Sequence, residues 1–213
     1  MHQDSRTLDS TGPVKYLSSP TLLMSLALVI VYGLQGLVTG SITNPLGSVP
    51  LFDYLVQCDV TNSLSQPPLP VYPWTLLTSI FLHASLLHVG GNVLFLLIFG
   101  LVLEEQVSRF RWLITFLATG LAGSLSFAVY DVALFFLAPP TSLSQLPIVD
   151  CGVGASAAVY GILGAGTGLR GAVFIIFIAG LDIAAGGAFI PHLGGLITGL
   201  ILRKFWTSNL LST

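Results

Sequence analysis

The sequence predicts an all-α polytopic membrane protein with six transmembrane helices. Of its 213 residues, 54% are hydrophobic and only 8% are charged, and the mean hydropathy is +0.89. A soluble domain carries about 25% charged residues, so this composition excludes a soluble globular chain. The net charge of −2 and the lack of a basic run exclude nucleic-acid binding. The apolar stretches are continuous, which argues against a β-barrel.

Six apolar segments follow one another along the chain. A transmembrane helix needs about 20 apolar residues, which leaves room for six with short loops. The predicted spans are about 21–38, 86–103, 112–137, 153–169, 172–183 and 189–202. We expect the first to be an uncleaved span, because the polar segment before it is long and only weakly basic; a signal peptide is the alternative. The connections 40–74 and 138–152 are predicted to be loops.

The basic residues support this arrangement of spans. With six spans, every Lys and Arg falls on the same side of the membrane: Arg6, Lys15, Arg109, Arg111, Arg170, Arg203 and Lys204. The positive-inside rule assigns that side to the cytoplasm. We therefore expect a cytoplasmic tail at 1–20, a six-helix membrane domain at 21–205 and a short cytoplasmic tail at 206–213. The expected location is the plasma membrane.

Polar residues collect at the outer ends of several predicted spans. Ionisable side chains inside a membrane are costly and are functional candidates by default. The topology brings five residues to a similar depth in the outer half of the bilayer: His83, His88, Asn92, Ser156 and His192. Each has an ordinary interpretation alone, such as a serine bonding its local backbone or an interhelical hydrogen bond. Their joint occurrence at one depth favours a functional site.

The residue types in this group suit a serine nucleophile. Ser156 is near a predicted helix start, where N–H groups and the helix dipole favour developing negative charge. His192 is the candidate base. His88 and Asn92, four residues apart on one helical face, are candidate donors to an oxyanion. Gly154 has no side chain that would block the approach to Ser156, so a substrate backbone can come close.

We expect a dyad rather than a triad. Tyr160 shares a helical face with Ser156 and is expected to position the imidazole of the base. The nearest acidic residues, Asp131, Asp150 and Asp182, are expected at the membrane interface. Neither a metal nor another cofactor is expected, because no carboxylate or thiolate accompanies the histidines at ligand spacing.

Four motifs in order resemble those of the rhomboid family of intramembrane serine proteases. They are the run from Trp74 to Asn92, Gly100 with Leu103-Glu104-Glu105, Gly154-Ala155-Ser156 with Tyr160, and His192-Leu193-Gly194-Gly195-Leu196. The resemblance covers about 74–202 and implies the six-span core of the bacterial and archaeal members. The spacing Gly195-x-x-x-Gly199 is expected to let the last span pack closely on the fourth.

The resemblance implies a role for each matching residue. Ser156 and His192 would form the catalytic dyad, and His88 and Asn92 would form the oxyanion hole with the serine N–H, while His83 is implied to be structural. It further implies cleavage of transmembrane or membrane-proximal segments of single-pass or polytopic membrane proteins within the lipid bilayer. No nucleic acid is expected as a partner.

Two positions depart from the family pattern. Ala157 stands where the family usually has glycine, and Pro191 stands where it usually has alanine. A proline is tolerated in the first turn of a helix, which fits a last span that begins near Ile190. An inactive rhomboid-like protein that binds transmembrane helices is therefore the alternative function. An unrelated transporter or channel is disfavoured, because the inner half of the predicted bundle has almost no polar residues.

The two cysteines, Cys58 and Cys151, both fall in predicted outer loops. That compartment permits disulfides, and a bond between them would tie the first loop to the entry of the fourth span. A shared compartment is not evidence of proximity, so we expect two unpaired cysteines.

Overall fold

The structure is a computed structural model that describes residues 18–47, 49–171, 174, 177, 180 and 189–208, and it is mostly helical. The described helices are α1 (Pro20–Thr39), α2 (Pro50–Asp53), α3 (Thr75–Thr78), α4 (Leu86–Glu104), α5 (Arg109–Leu137), α6 (Ser156–Thr167) and α7 (Phe189–Ser208). The strands are β1 (Gln57–Thr61), β2 (Leu69–Pro70) and β3 (Ile148–Gly152), and 3-10 turns lie at Ser79–Phe81, Leu143–Gln145 and Gly168–Gly171. Most of the predicted fifth span, and Asp182 with it, lies outside the described residues.

Three of the described helices, α1, α4 and α5, are long and apolar enough to cross a membrane. Each follows a serine whose hydroxyl oxygen accepts a hydrogen bond from a main-chain N–H of the first turn, which satisfies one of the groups that a helix start leaves unpaired. These pairs are Ser19 with Leu22, Ser85 with His88, and Ser108 with Arg111. The first three predicted spans agree with these helices to within three residues at each end.

The fourth predicted span is longer than the helix found, and the sixth ends before the helix found does. α6 has 12 residues, Ser156–Thr167, in place of the predicted 153–169. At about 1.5 Å per residue it rises about 18 Å, well short of the ~30 Å hydrocarbon core of a bilayer. α7 runs to Ser208 rather than ending near 202. A count of spans beyond the three long helices stays a prediction.

The short helix α6 lies at the centre of the bundle, against α4, α5 and α7. Its residues 157–166 are all buried. Glycines let α7 approach closely: a side-chain carbon at Gly195 would overlap the carbonyl oxygen of Ala157, and one at Gly199 would overlap that of Gly161. The predicted role of Gly195 and Gly199 in this helix contact is confirmed.

Side chains donate hydrogen bonds to the carbonyl oxygens at the C-terminus of α6. Arg203 Nη1 donates to the carbonyl oxygens of Ala165 and Gly166 at 2.7 and 2.8 Å. Gln106 Nε2 also donates to the Gly166 oxygen, at 2.9 Å. Gly168 ends the helix with a φ of +57°, and a side chain there would collide with the guanidinium of Arg203. We name this end of the bundle the Arg203 end and the opposite one the Ser156 end.

Other contacts of the Arg203 end also involve charged side chains. Glu104 accepts a 2.7 Å hydrogen bond from Ser19 Oγ beside the start of α1. Arg111 lies 5.0 Å from the ring centre of Trp206, which ties the start of α5 to the end of α7. Every Lys and Arg in the described part of the chain lies at this end: Arg109, Arg111, Arg170, Arg203 and Lys204.

A small antiparallel sheet at the Ser156 end corrects the all-α prediction. Its strand order is β2-β1-β3, and β1 pairs with β3 from Gln57 opposite Gly152 to Thr61 opposite Ile148. This register sets Cys58 directly opposite Cys151, and the two form a disulfide. The expectation of two unpaired cysteines is therefore wrong, because strand pairing supplies the proximity that a shared compartment does not.

Two buried carboxyl groups lie where the sheet meets α5. Asp59 of β1 is fully buried and Asp131 of α5 is also buried, and both oxygens of Asp59 and Oδ2 of Asp131 have no hydrogen-bond partner among the described residues. Burial raises the pKa of Asp59, and the charge of Asp150 acts in the same direction. Asp131 is enclosed by protein near the C-terminal end of α5, and its position at the membrane interface stays a prediction.

Candidate functional site

Ser156 and His192 meet between the starts of α6 and α7. The distance from Ser156 Oγ to His192 Nε2 is 2.6 Å, which is a hydrogen bond. The Tyr160 ring stacks on the imidazole of His192 with a centre-to-centre distance of 4.5 Å and an interplanar angle of 11°. Tyr160 thus lies where the sequence analysis expected it, one turn beyond Ser156. The stacked ring restrains the tilt of the imidazole.

The backbone before Ser156 turns sharply into α6. Gly154 has a φ of +122°, which favours glycine, and its N–H donates to the carbonyl oxygen of Ser79 at 2.9 Å. The residue before the helix, Ala155, provides no side-chain cap. Because Ser156 is the first residue of α6, N–H groups of the first helical turn lie beside its hydroxyl. This positive end of the helix is suited to negative charge.

His88 and Asn92 of α4 converge on the same turn. A side-chain carbon at Gly154 would lie 2.6 Å from both Cε1 and Nε2 of His88 and 3.7 Å from Asn92 Nδ2, so only glycine leaves room for the imidazole. Asn92 is 6% exposed, and its Nδ2 has no hydrogen-bond partner in the described residues. A buried amide without an acceptor is costly, and at a site it marks a place for a ligand oxygen.

His83 forms a hydrogen bond with the turn that precedes α6. It is fully buried, and its Nε2 accepts a 3.4 Å hydrogen bond from the N–H of Ala155. Burial lowers the pKa of His83 to about 4, and the neighbouring His88 acts in the same direction, so the ring is neutral and able to accept. Its ring meets that of His88 edge-on at 5.0 Å.

Gln35 of α1 is a supporting residue that the sequence analysis missed. Its side-chain amide donates to the carbonyl oxygen of His83 and accepts from the N–H of His83, both at 3.1 Å. Gln35 is buried, so this pair of bonds holds the His83 backbone within the bundle. The available signal is a lone amide side chain in an otherwise apolar span.

A cavity of about 490 Å³ opens beside Ser156, between α5, the sheet and the start of α7. Aromatic and small polar side chains line it: Gln57, Ser124, Phe127, Tyr130 and Phe189. Gln57 is itself held by a 3.1 Å hydrogen bond from its Nε2 to the carbonyl oxygen of Ser124. The cavity has the size of a site for a side chain with accompanying water.

The fold and the site define a class: a multi-pass helical membrane protein with a hydrogen-bonded serine and histidine at the start of a short central helix. A family model described as Rhomboid domain matches residues 71–177, which is half of the chain. The chain therefore belongs to the rhomboid family, whose members are in general serine proteases and act on membrane-protein substrates in a bilayer.

Individual relatives are distant. The chain is 28% identical over 158 residues to Rhomboid-like protease 3 of Toxoplasma gondii, covering 64% of this chain and 53% of the relative. It is 29% identical over 147 residues to RHOMBOID-like protein 1 of Arabidopsis thaliana, covering 61% and 33%. It is 35% identical over 92 residues to Rhomboid protease GluP of Bacillus subtilis (strain 168), covering 43% and 15%. The match thus spans about half, or less, of the length of these relatives.

Proposed function

We propose that this chain is an intramembrane serine endopeptidase that cuts transmembrane or membrane-proximal segments of other membrane proteins. The observation that carries the proposal is the 2.6 Å contact between Ser156 Oγ and His192 Nε2 at an uncapped helix start. Family membership makes this chemistry the natural one for the pair. The substrates are single-pass or polytopic membrane proteins.

In the first half-reaction, the Ser156 hydroxyl donates its proton to His192 Nε2 while Oγ attacks the scissile carbonyl carbon. The carbonyl oxygen becomes an oxyanion, which accepts hydrogen bonds from His88, Asn92 and the N–H of Ser156. His192 then gives the proton to the leaving amine nitrogen, the C–N bond breaks, and an ester joins the new C-terminus to Ser156. Tyr160 acts as a positioning residue by holding the imidazole plane.

In the second half-reaction, a water molecule gives a proton to His192 and attacks the ester carbon. The same donors hold the second oxyanion, and the proton returns to Ser156 Oγ as the ester bond breaks. Water must therefore reach Ser156. The shortness of α6 favours this, because a helix that rises about 18 Å leaves space above its start within a bilayer about 30 Å thick.

The cavity beside Ser156 is proposed to receive a substrate side chain next to the cut bond. Phe127, Tyr130 and Phe189 give it an apolar wall, and Ser124 and Gln57 supply polar atoms. Asp150 also lines the cavity, so the lining suits a small or apolar side chain rather than an anionic one.

We further propose that the Ser156 end faces away from the cytoplasm in a six-span arrangement. The gathering of the described Lys and Arg residues at the Arg203 end supports this orientation. In that arrangement, residues 21–205 form the membrane domain, while 1–20 and 206–213 lie on the cytoplasmic side of the plasma membrane.

The test is labelling of the purified full chain with a fluorescent fluorophosphonate, together with cleavage of a reconstituted single-pass substrate. Wild type is expected to label and to cut, and Ser156→Ala and His192→Ala are expected to do neither. Ser144→Ala, an exposed loop serine, is the matched control and should behave as wild type.

Each outcome of this test separates the two functions that the sequence suggested. Labelling that survives in Ser156→Ala would overturn the assignment of the nucleophile. Folded wild type that neither labels nor cuts would overturn the proteolytic function. If that inactive protein still retained a transmembrane helix on pull-down, the helix-binding function would replace it.

A further inference from the structure

Gly123 of α5 lies where α5, α6 and α7 meet. A side-chain carbon built at Gly123 would overlap the methyl carbon of Ala157 and would lie 2.9 Å from the carbonyl oxygen of Pro191. Ala157 follows Ser156 in the chain, and Pro191 precedes His192. The two positions that depart from the family pattern therefore contact the same glycine.

The neighbours of Gly123 cannot move aside independently. The Ala157 methyl has no torsion that relocates its carbon, and the Pro191 oxygen belongs to the backbone of α7. Carbon atoms in contact are about 3.5–4.0 Å apart, so an added carbon at 123 would have to push α6 and α7 away from α5. A change of side-chain rotamer cannot remove the overlap, because the nearest atoms are a methyl carbon and a carbonyl oxygen.

The opposite side of Ala157 is equally confined. Gly195 of α7 lies against the Ala157 carbonyl oxygen so closely that a side-chain carbon there would overlap it. Ala157 is thus enclosed between Gly123 and Gly195 and is 7% exposed. A shift of Ala157 in this confined position would be passed to the adjacent Ser156.

We infer that Gly123 is a positioning residue for the Ser156–His192 pair, because its missing side chain admits the methyl group of Ala157 and the carbonyl of Pro191. This inference rests on the proposed function. In a family member with glycine after the serine, no methyl group is present at this position, so α5 needs no space for one. With alanine at 157, the space for the methyl group is provided on the facing helix. Ala157 and Pro191 are accordingly compatible with an assembled dyad.

The test compares the rate of fluorophosphonate labelling per folded molecule among purified variants. Gly123→Ala is expected to label about 100-fold more slowly than wild type, since a displacement of about 1 Å in a reacting pair costs that much. Gly33→Ala is the matched control: Gly33 lies in α1 with no atom within 4 Å of the added carbon, and this variant should label as wild type does.

Rescue distinguishes positioning from general damage to the fold. Ala157→Gly removes the overlapping methyl, so the double variant Gly123→Ala/Ala157→Gly should label about tenfold faster than Gly123→Ala. The remaining 2.9 Å contact with the Pro191 oxygen should keep it about tenfold below Ala157→Gly alone. In the matched double variant, Gly123→Ala/Ala158→Gly, a neighbouring buried methyl is removed instead, and no rescue is expected.

These outcomes are separable from those of the proposed function. Unreactive wild type means that the proposed function has failed. Reactive wild type with an equally reactive Gly123→Ala overturns the inference, as does equal rescue by Ala157→Gly and Ala158→Gly. If Gly123→Ala does not fold, the comparison of the first double variant with Ala157→Gly decides, and equal rates for these two overturn the inference.

Discussion

At the Arg203 end of α6, side chains donate hydrogen bonds to the last carbonyl oxygens, whereas at the Ser156 end the residue before the helix, Ala155, provides no side-chain cap. Inside a bilayer an unsatisfied backbone group is expensive, so both ends of a buried helix are expected to be closed. Side chains close the Arg203 end, and the N-cap position of the Ser156 end lacks such a group. Asn92, whose Nδ2 has no partner among the described residues, lies at the Ser156 end. Under the proposed function, the Asn92 amide and the first-turn N–H groups of α6 are available to a substrate, whereas the side chains at the C-terminus of α6 hold the fold.

The largest effect is expected at the Ser156 end. Asn92→Ala should lower kcat for substrate cleavage about 100- to 1000-fold, because it removes one donor to the oxyanion. It should leave the thermal stability nearly unchanged, because Asn92 Nδ2 has no hydrogen-bond partner among the residues that the structure describes. Kinetics and thermal unfolding of the same sample check both parts. A large loss of stability with normal kcat would contradict the contrast between the two ends.

The disulfide of the outer sheet is expected to contribute stability. Replacing both cysteines in Cys58→Ser/Cys151→Ser should lower the free energy of unfolding by about 2–4 kcal/mol, because the cross-link restricts an unfolded chain over 93 residues. Denaturation in detergent with and without reductant measures this. Reductant should have no effect on the double variant, and an equal effect on both proteins would show that the disulfide is not its target.

At the Arg203 end, a substitution should affect stability rather than chemistry. Arg203→Gln is expected to lower the free energy of unfolding by about 2–3 kcal/mol, because the buried carbonyl oxygens of Ala165 and Gly166 lose a charged donor. Arg170→Gln, an exposed basic residue at the same end, is the control and should change little. A kcat that falls as far as in Asn92→Ala would contradict the division between the two ends.

A smaller effect is expected from acid. The folded pKa of His83 is lowered to about 4 from an unfolded value near 6.5, so its stabilisation is complete above pH 6.5 and is lost as the pH falls toward 4. The loss should reach about 1 kcal/mol near pH 5.5. Thermal unfolding from pH 7.5 to 5.5 should show a steeper decline for wild type than for His83→Gln, whose amide does not titrate. Parallel declines would contradict it.

The sequence alone was sufficient to predict the long helices and the proximity of the polar residues. Continuous apolar runs identify α1, α4 and α5, and alternation of direction brings the starts of α4, α6 and α7 to one end. His88 with Asn92, and Ser156 with Tyr160, are four residues apart, so each pair shares a face. The catalytic roles of these residues stay a prediction.

Other features depend on contacts between distant parts of the chain. β1 and β3 are short and about 90 residues apart, so no local pattern reveals their pairing or the disulfide that follows from it. The end of α6 was missed because the apolar, glycine-rich sequence continues past Thr167; the helix stops where Gly168 turns and Arg203 meets the carbonyls. Gly123 has no sequence motif, and its importance comes only from what faces it.

The pairing of β1 with β3 also sets an order of assembly during synthesis. β1 and β2 are neighbours in the chain and can pair as soon as both have emerged, but β3 follows only after α4 and α5 have been made. β3 is therefore the last strand of the outer sheet to be made, and it directly precedes α6 in the chain. Since His192 arrives with α7, the hydrogen bond between Ser156 and His192 can form only after that helix has been made. Under the proposed function, a growing chain would therefore lack an assembled nucleophile until its last described helix has been inserted.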